Sequence, residues 1–303
     1  MSKGKKSNPH FPLRPPSQNG DRPNVNFHHI GDRSFPIRLG IFISLLLLIW
    51  LPLAIPIYGL VDDPNWVSII TLALLYGEFI ALLKMWGRRV YNDPQMLRSC
   101  GLEFSQSTGR NCAIGFGIGC GGVFILFAIA TALGGVIWEP LPPTFSRIFI
   151  EGLLVALGVG FAEELFFRGW LLEELRRDYS PAIALWLNST LFAILHFIKP
   201  PEEILRTWLQ FPGLLLLGMI LIWAKDATRS QTNPHGSLSV AIGLHAGLVW
   251  SYYLVNVGEL ATYSGTLPEW ITGIDRNPLA GVLGLLCLGE MAILIRRLRL
   301  PVK

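Results

Sequence analysis

An all-α, polytopic membrane fold is what this sequence of 303 residues predicts, and three observations predict it. Hydrophobic residues make up 51% of the chain and charged ones only 15%, where soluble domains carry roughly 25% charged residues. About eight apolar stretches recur, each near the ~20 residues that a helix needs to cross a bilayer core. Their apolar residues run on continuously instead of alternating, which selects helices over barrel strands. Lipid leaves the backbone no other way to satisfy its polar groups.

In order along the chain, residues 1–36 are polar and Pro-rich and lack an apolar signal core. They read as a disordered cytoplasmic tail with no cleavable signal peptide. Residues 37–303 read as one transmembrane domain, with candidate spans at 37–60, 66–86, 112–138, 148–172, 181–197, 208–224, 238–255 and 279–295. Basic residues collect on alternate loops: Lys3 to Arg38 before and at the start of the first span, Lys84 to Arg110 after the second, Arg176 and Arg177 after the fourth, Lys225 and Arg229 after the sixth, and Arg296 to Lys303 at the end. The opposite loops hold only Arg147, Lys199, Arg206 and Arg276. The positive-inside rule then puts both termini in the cytoplasm. The net charge of +4 reflects this topology and argues for a lipid bilayer as partner, not nucleic acid. Cys100, Cys112, Cys120 and Cys287 show no CxxC spacing, so neither a disulfide framework nor a zinc site is expected.

Ionisable residues inside spans are where function is sought. Glu78, Glu151, Glu163, Glu164, Arg168, His196, His245 and Glu290 qualify, and three of them fall within six residues of the fourth span. Glu164 and Arg168 are spaced i,i+4, share a face and can pair, while Glu163 sits about 100° round the helix without that partner. In the fifth span Asn188, Phe192 and His196 line one stripe. A hairpin turning at Tyr179 puts Glu163 and His196 at nearly equal depth, roughly 24 Å from the turn. The seventh span adds His245 among small residues. In the run Gly115-x-Gly117-x-Gly119-x-Gly121, two overlapping GxxxG patterns predict close helix packing.

These residues resemble the CPBP family of Rce1-like CAAX proteases and bacteriocin-processing proteins. Glu163-Glu164-x-x-x-Arg168 looks like its EExxxR motif, Phe192-x-x-x-His196 like its FxxxH motif, and His245 like the start of a third, HxxxN. The motif core spans 147–256. The resemblance implies a catalytic cavity formed by the fourth, fifth and seventh helices and an intramembrane glutamic endopeptidase, a metal-independent hydrolase cleaving a membrane-embedded or lipidated protein or peptide. Glu163 and His196 would be its catalytic pair, His245 would face the oxyanion, and Glu164 with Arg168 would anchor the helix. No cofactor is implied, although two histidines and the glutamates are also donors that suit Zn²⁺. The departure is Val249, which stands where the family often has Asn. Asn188 is the expected substitute donor, with Ser251 and backbone amides as further candidates. Two other functions stay open at this stage: an inactive scaffold or immunity-type protein with the same fold, which Val249 favours, and a small-solute transporter using the buried charges.

Overall fold

The computed structural model describes residues 27–231 and 233–300; most of the polar tail, residues 1–26, and the last three residues lie outside them. The described end of the tail carries one helical turn, α1 (His28–Gly31), and His28 Nδ1 donates to the Val90 carbonyl at 3.0 Å. Then come α2 (Phe35–Leu60), α3 (Pro64–Val90), the single turn α4 (Met96–Ser99) and α5 (Thr108–Ala132). Strand β1 (Val136–Trp138) precedes α6 (Phe145–Glu164), which runs through a π-helical segment, Leu165–Leu171, into α7 (Leu172–Asp178). The chain continues as α8 (Pro181–Leu195), α9 (Pro201–Thr207), α10 (Phe211–Asp226) and α11 (Ser239–Asn256). Strand β2 (Ala261–Tyr263), the turn α12 (Glu269–Thr272) and α13 (Val282–Arg297) complete it.

Each apolar stretch is a helix, with shifted ends. Five helical segments are long and apolar enough to cross a membrane: Phe35–Leu60, Pro64–Val90, Thr108–Ala132, Phe145–Asp178 and Pro201–Asp226. This is an all-α integral membrane protein. α8 is a shorter apolar helix. The third stretch stops being helical at Ala132, because Gly134 turns with φ of 77° and Val136–Trp138 pairs antiparallel with Ala261–Tyr263. That ribbon ties the loop after α5 to the loop after α11.

Local chemistry fixes the helix starts. Asp63 caps α3 by accepting from Asn65 N at 2.8 Å and Trp66 N at 3.3 Å, with Pro64 at the first position, where its missing N–H costs nothing. Ser180 and Pro181 start α8 in the same way, so the tight hairpin after α7 falls at the turn the sequence marks. The outward faces stay apolar: Leu47, Leu48, Leu51, Leu53 and Ile55 of α2 are all exposed, a surface suited to lipid and not to water.

The helix ends sort as the loop charges require. At one end of the bundle, Arg38 of α2 pairs with Glu174 at 2.8 Å and Asp178 at 3.0 Å on α7. Tyr91, just past α3, donates to Glu174 at 2.7 Å, and Arg176 reaches Asp226 of α10 at 3.0 Å. The ends of α2, α3, α7 and α10 therefore share one face, as an alternation of loops demands. Burial and the Glu174 charge push the Tyr91 hydroxyl well above the usual tyrosine range.

Packing around α11 rests on glycine. A Cβ on Gly115 or Gly119 of α5 would run into the carbonyls of Val240 and Leu244, and one on Gly243 or Gly247 of α11 into those of Cys112 and Phe116. Two small-residue ridges thus interlock, which lets the helices approach until van der Waals contact holds them. Of the two overlapping patterns in α5 only the 115/119 register touches α11; Gly117 and Gly121 meet open space. Gly119→Val is expected to cost at least ~1–3 kcal/mol through overpacking, and Gly117→Val no more than ~0.5 kcal/mol. Melting temperatures in detergent would separate the two; equal losses would refute the interlock.

Candidate active site

The site is built where α6 meets the π-helical segment, and its side chains come from four helices. A π turn is rare and marks functional positions more often than chance. Here aromatic packing surrounds it: Trp170 lies on Phe42 with centroids 4.0 Å apart, Phe166 on Phe79 at 5.7 Å, and Phe167 edge-on to Phe192 at 5.1 Å. Side chains outside the helix meet its carbonyls. Asn188 Nδ2 donates to Phe167 O at 2.8 Å, and Lys225 Nζ donates to Arg168 O at 2.8 Å.

Lys225 is wholly buried, and its ammonium also pairs with Glu173 at 2.8 Å. Two loops close over it at Gly101 and Gly236, with φ of 92° and 74°, joined by Leu238 N donating to Gly101 O at 2.9 Å. A Cβ on Gly101 would stand 3.1 Å from Lys225 Cε. Lys225→Met is expected to strand the Arg168 carbonyl at about 1–3 kcal/mol and to raise amide exchange in residues 165–171. Unchanged exchange there would show that the segment holds its shape without Lys225.

Glu164 and Arg168 are fully buried and joined at 3.0 Å. The guanidinium also donates to Gly218 O of α10 at 3.3 Å and lies 4.1 Å over the Phe192 ring. Glu164 Oε1 accepts a second bond, from His245 Nδ1 of α11, at 2.8 Å. His245 Nε2 is left 3.9 Å from Glu163 Oε2, too far for a direct hydrogen bond. That Glu163 oxygen is buried and accepts nothing, while the side chain as a whole is 30% exposed. The imidazole therefore stands between two adjacent carboxylates, one bound to Arg168 and one unpaired at the edge of the open side. Chemically this is an oriented histidine beside a carboxylate with one buried, unbonded oxygen, able to hold and deprotonate a small molecule in the gap.

Four residues chosen from the sequence, Glu163, Glu164, Arg168 and His245, come together here. His245 is the histidine that contacts the glutamates, 2.8 Å from Glu164 and 3.9 Å from Glu163. His196 at the end of α8 donates from Nδ1 to Phe192 O at 2.7 Å and is not within ion-pair distance of any acid among the described residues. It joins the cluster through Phe192, whose ring lies 4.5 Å from the His196 ring and 6.4 Å from that of His245. The two expected substitute donors each bond a backbone carbonyl. Asn188 Nδ2 gives one of its hydrogens to Phe167 O, and Ser251 Oγ donates to Gly247 O at 2.6 Å. Glu151 is an exposed partner of Arg147 at 2.6 Å. Among the described residues no group of three or more His, Cys, Asp or Glu side chains is placed to hold a metal ion.

Sequence reasoning missed Lys225. Lys225 lies at a span end and reads as a topology charge; only its position beside four apolar residues of α10 hinted at burial.

Such a centre, with paired glutamates and a histidine held inside a bundle of membrane helices, defines a class of intramembrane site. Residues 145–251 match the family described as type II CAAX prenyl endopeptidase, Rce1-like. The matched segment runs from α6 into α11, about a third of the chain, and holds every motif residue. The chain is also 28% identical over 119 residues to the uncharacterised protein YyaK of Bacillus subtilis (strain 168), covering 39% of this chain and 37% of that one. It thus aligns with little more than a third of the relative's length. No solved structure matches.

Proposed function

We propose that this chain is an intramembrane endopeptidase of the glutamate type, hydrolysing a peptide bond in a membrane-associated protein or peptide without a metal ion, with its termini in the cytoplasm. The observation that carries the reading is His245 held between Glu164 and the unpaired Glu163. Donation of the Nδ1 proton to Glu164 fixes the tautomer and leaves the Nε2 lone pair facing Glu163. A water shared by Nε2 and Glu163 would attack the carbonyl carbon as its proton passes to Glu163. That proton would then go to the departing amine as the C–N bond breaks. Glu164 would hold the imidazole in register, in the manner of an acid behind a catalytic histidine, and Arg168 would neutralise Glu164. His196, with Nδ1 committed to its own helix, has Nε2 left to meet the substrate. Kinship with the CAAX prenyl endopeptidases supports proteolysis.

The test is direct. Purified full-length protein, incubated with membrane fractions in the presence of a chelator, is expected to generate new protein N-termini within apolar or membrane-proximal segments. If no new termini appear with or without chelator, proteolysis is refuted; if they vanish with chelator and return with Zn²⁺, the metal-free mechanism is.

A further inference from the structure

An apolar cavity of about 190 Å³ opens beside His245, between α5, α10, α11 and α13. Val249, one turn along α11 from His245, forms its wall with Leu217, Leu248, Leu288 and Met291. Its size and position suggest an occupant. An engineered apolar cavity of ~150 Å³ takes up a single benzene, so this one holds a single leucine- or phenylalanine-sized group and is too small for a long lipid chain coiled within it. Of the residues around it, His245 also belongs to the acid–histidine cluster, and its imidazole faces Glu163 at 3.9 Å. A group seated here is therefore attached to something lying across the site. The cavity is also shaped by a missing side chain: a Cβ on Gly122 would run into the methyl end of Met291.

We propose that this cavity is the specificity pocket of the site, taking one large apolar side chain of a peptide lying beside His245. This rests on the protease reading for its purpose but not for its test. Val249 is then a specificity-determining residue: an amide at this position would put an unpaired polar group into the pocket, and a larger side chain would fill it. Substrates should carry Leu, Met or Phe next to the cut bond, and Gly there should be rejected. A single methylene in an apolar pocket is worth about 10–200-fold in selection, so Leu against Gly should differ by at least tenfold.

The experiment uses binding, not cleavage. A short capped apolar peptide with one photo-leucine is irradiated with the full-length Glu163→Gln variant in lipid nanodiscs, and the adducts are mapped by mass spectrometry. Adducts on Val249, Leu288 or Met291 are expected. The same peptide with Phe in place of photo-leucine should compete at least tenfold better than the Gly version, and Val249→Trp should abolish these adducts without lowering the melting temperature. Adducts elsewhere, equal competition by the Gly peptide, or labelling indifferent to Val249→Trp would overturn the pocket. So would labelling of the same residues by a diazirine-bearing phospholipid that the Phe peptide cannot displace, which would make it a lipid site. Correct labelling with no cleavage of the unlabelled peptide by the wild-type protein would count against the protease reading and leave the pocket standing.

Discussion

Arg168→Ala is expected to destabilise the protein by about 3–5 kcal/mol, the usual cost of breaking a buried ion pair from one side. Glu164 is fully buried, so without Arg168 its charge has only the His245 bond at 2.8 Å to set against desolvation. The Gly218 carbonyl loses its donor and the Phe192 face loses the guanidinium stacked at 4.1 Å. Arg168→Lys should fail nearly as badly. A single ammonium cannot bond Glu164 on one helix and Gly218 on another while lying flat on a ring. The double variant Glu164→Gln with Arg168→Met removes both charges and should recover much of the stability, since a neutral replacement of a buried pair is often tolerated. Detergent denaturation curves and membrane abundance would measure this. If Arg168→Ala melts like the wild type, the pair does not support the bundle.

The same pair shows how far the sequence could be read. Spacing alone joined Glu164 to Arg168, because i,i+4 neighbours share a helix face whether the local turn is α or slightly wider. Hydropathy placed the five helices long and apolar enough to cross a membrane, since a lipid-facing run needs no partner to be recognised. The contact between His245 and the glutamates was not legible. The depth argument that matched Glu163 to His196 used straight α-helices with a constant rise, and Leu165–Leu171 is π-helical. A wider turn rotates every side chain before it relative to those after it, so equal depth no longer implies facing. Nor does the sequence say that Gly115 and Gly119, and not Gly117 and Gly121, carry the contact with α11. That choice depends on which face the neighbour occupies, and the neighbour is more than a hundred residues away. Lys225 failed to stand out for a related reason: its burial comes from two loops folding over it, and loop closure leaves no periodic trace.

Glu163→Gln is expected to lower kcat by about 10²–10⁴, the range a positioned general base supplies, and to leave the fold unchanged. The structural half follows from the geometry. Glu163 makes no hydrogen bond through its buried oxygen and stands 3.9 Å from His245, so the amide replaces it in shape and strands no partner. The kinetic half follows from the role: a base matters when the water's proton leaves, so kcat falls while KM stays near its wild-type value. Glu164→Gln provides the contrast. That residue holds both Arg168 and His245, so its replacement should lower melting temperature and activity together. Single-turnover rates on a peptide identified from the new N-termini, measured beside melting curves for both variants, distinguish the two roles. If Glu163→Gln keeps more than about a tenth of the wild-type kcat, the base lies elsewhere, and His245, whose Nε2 faces the same gap, becomes the group to replace next.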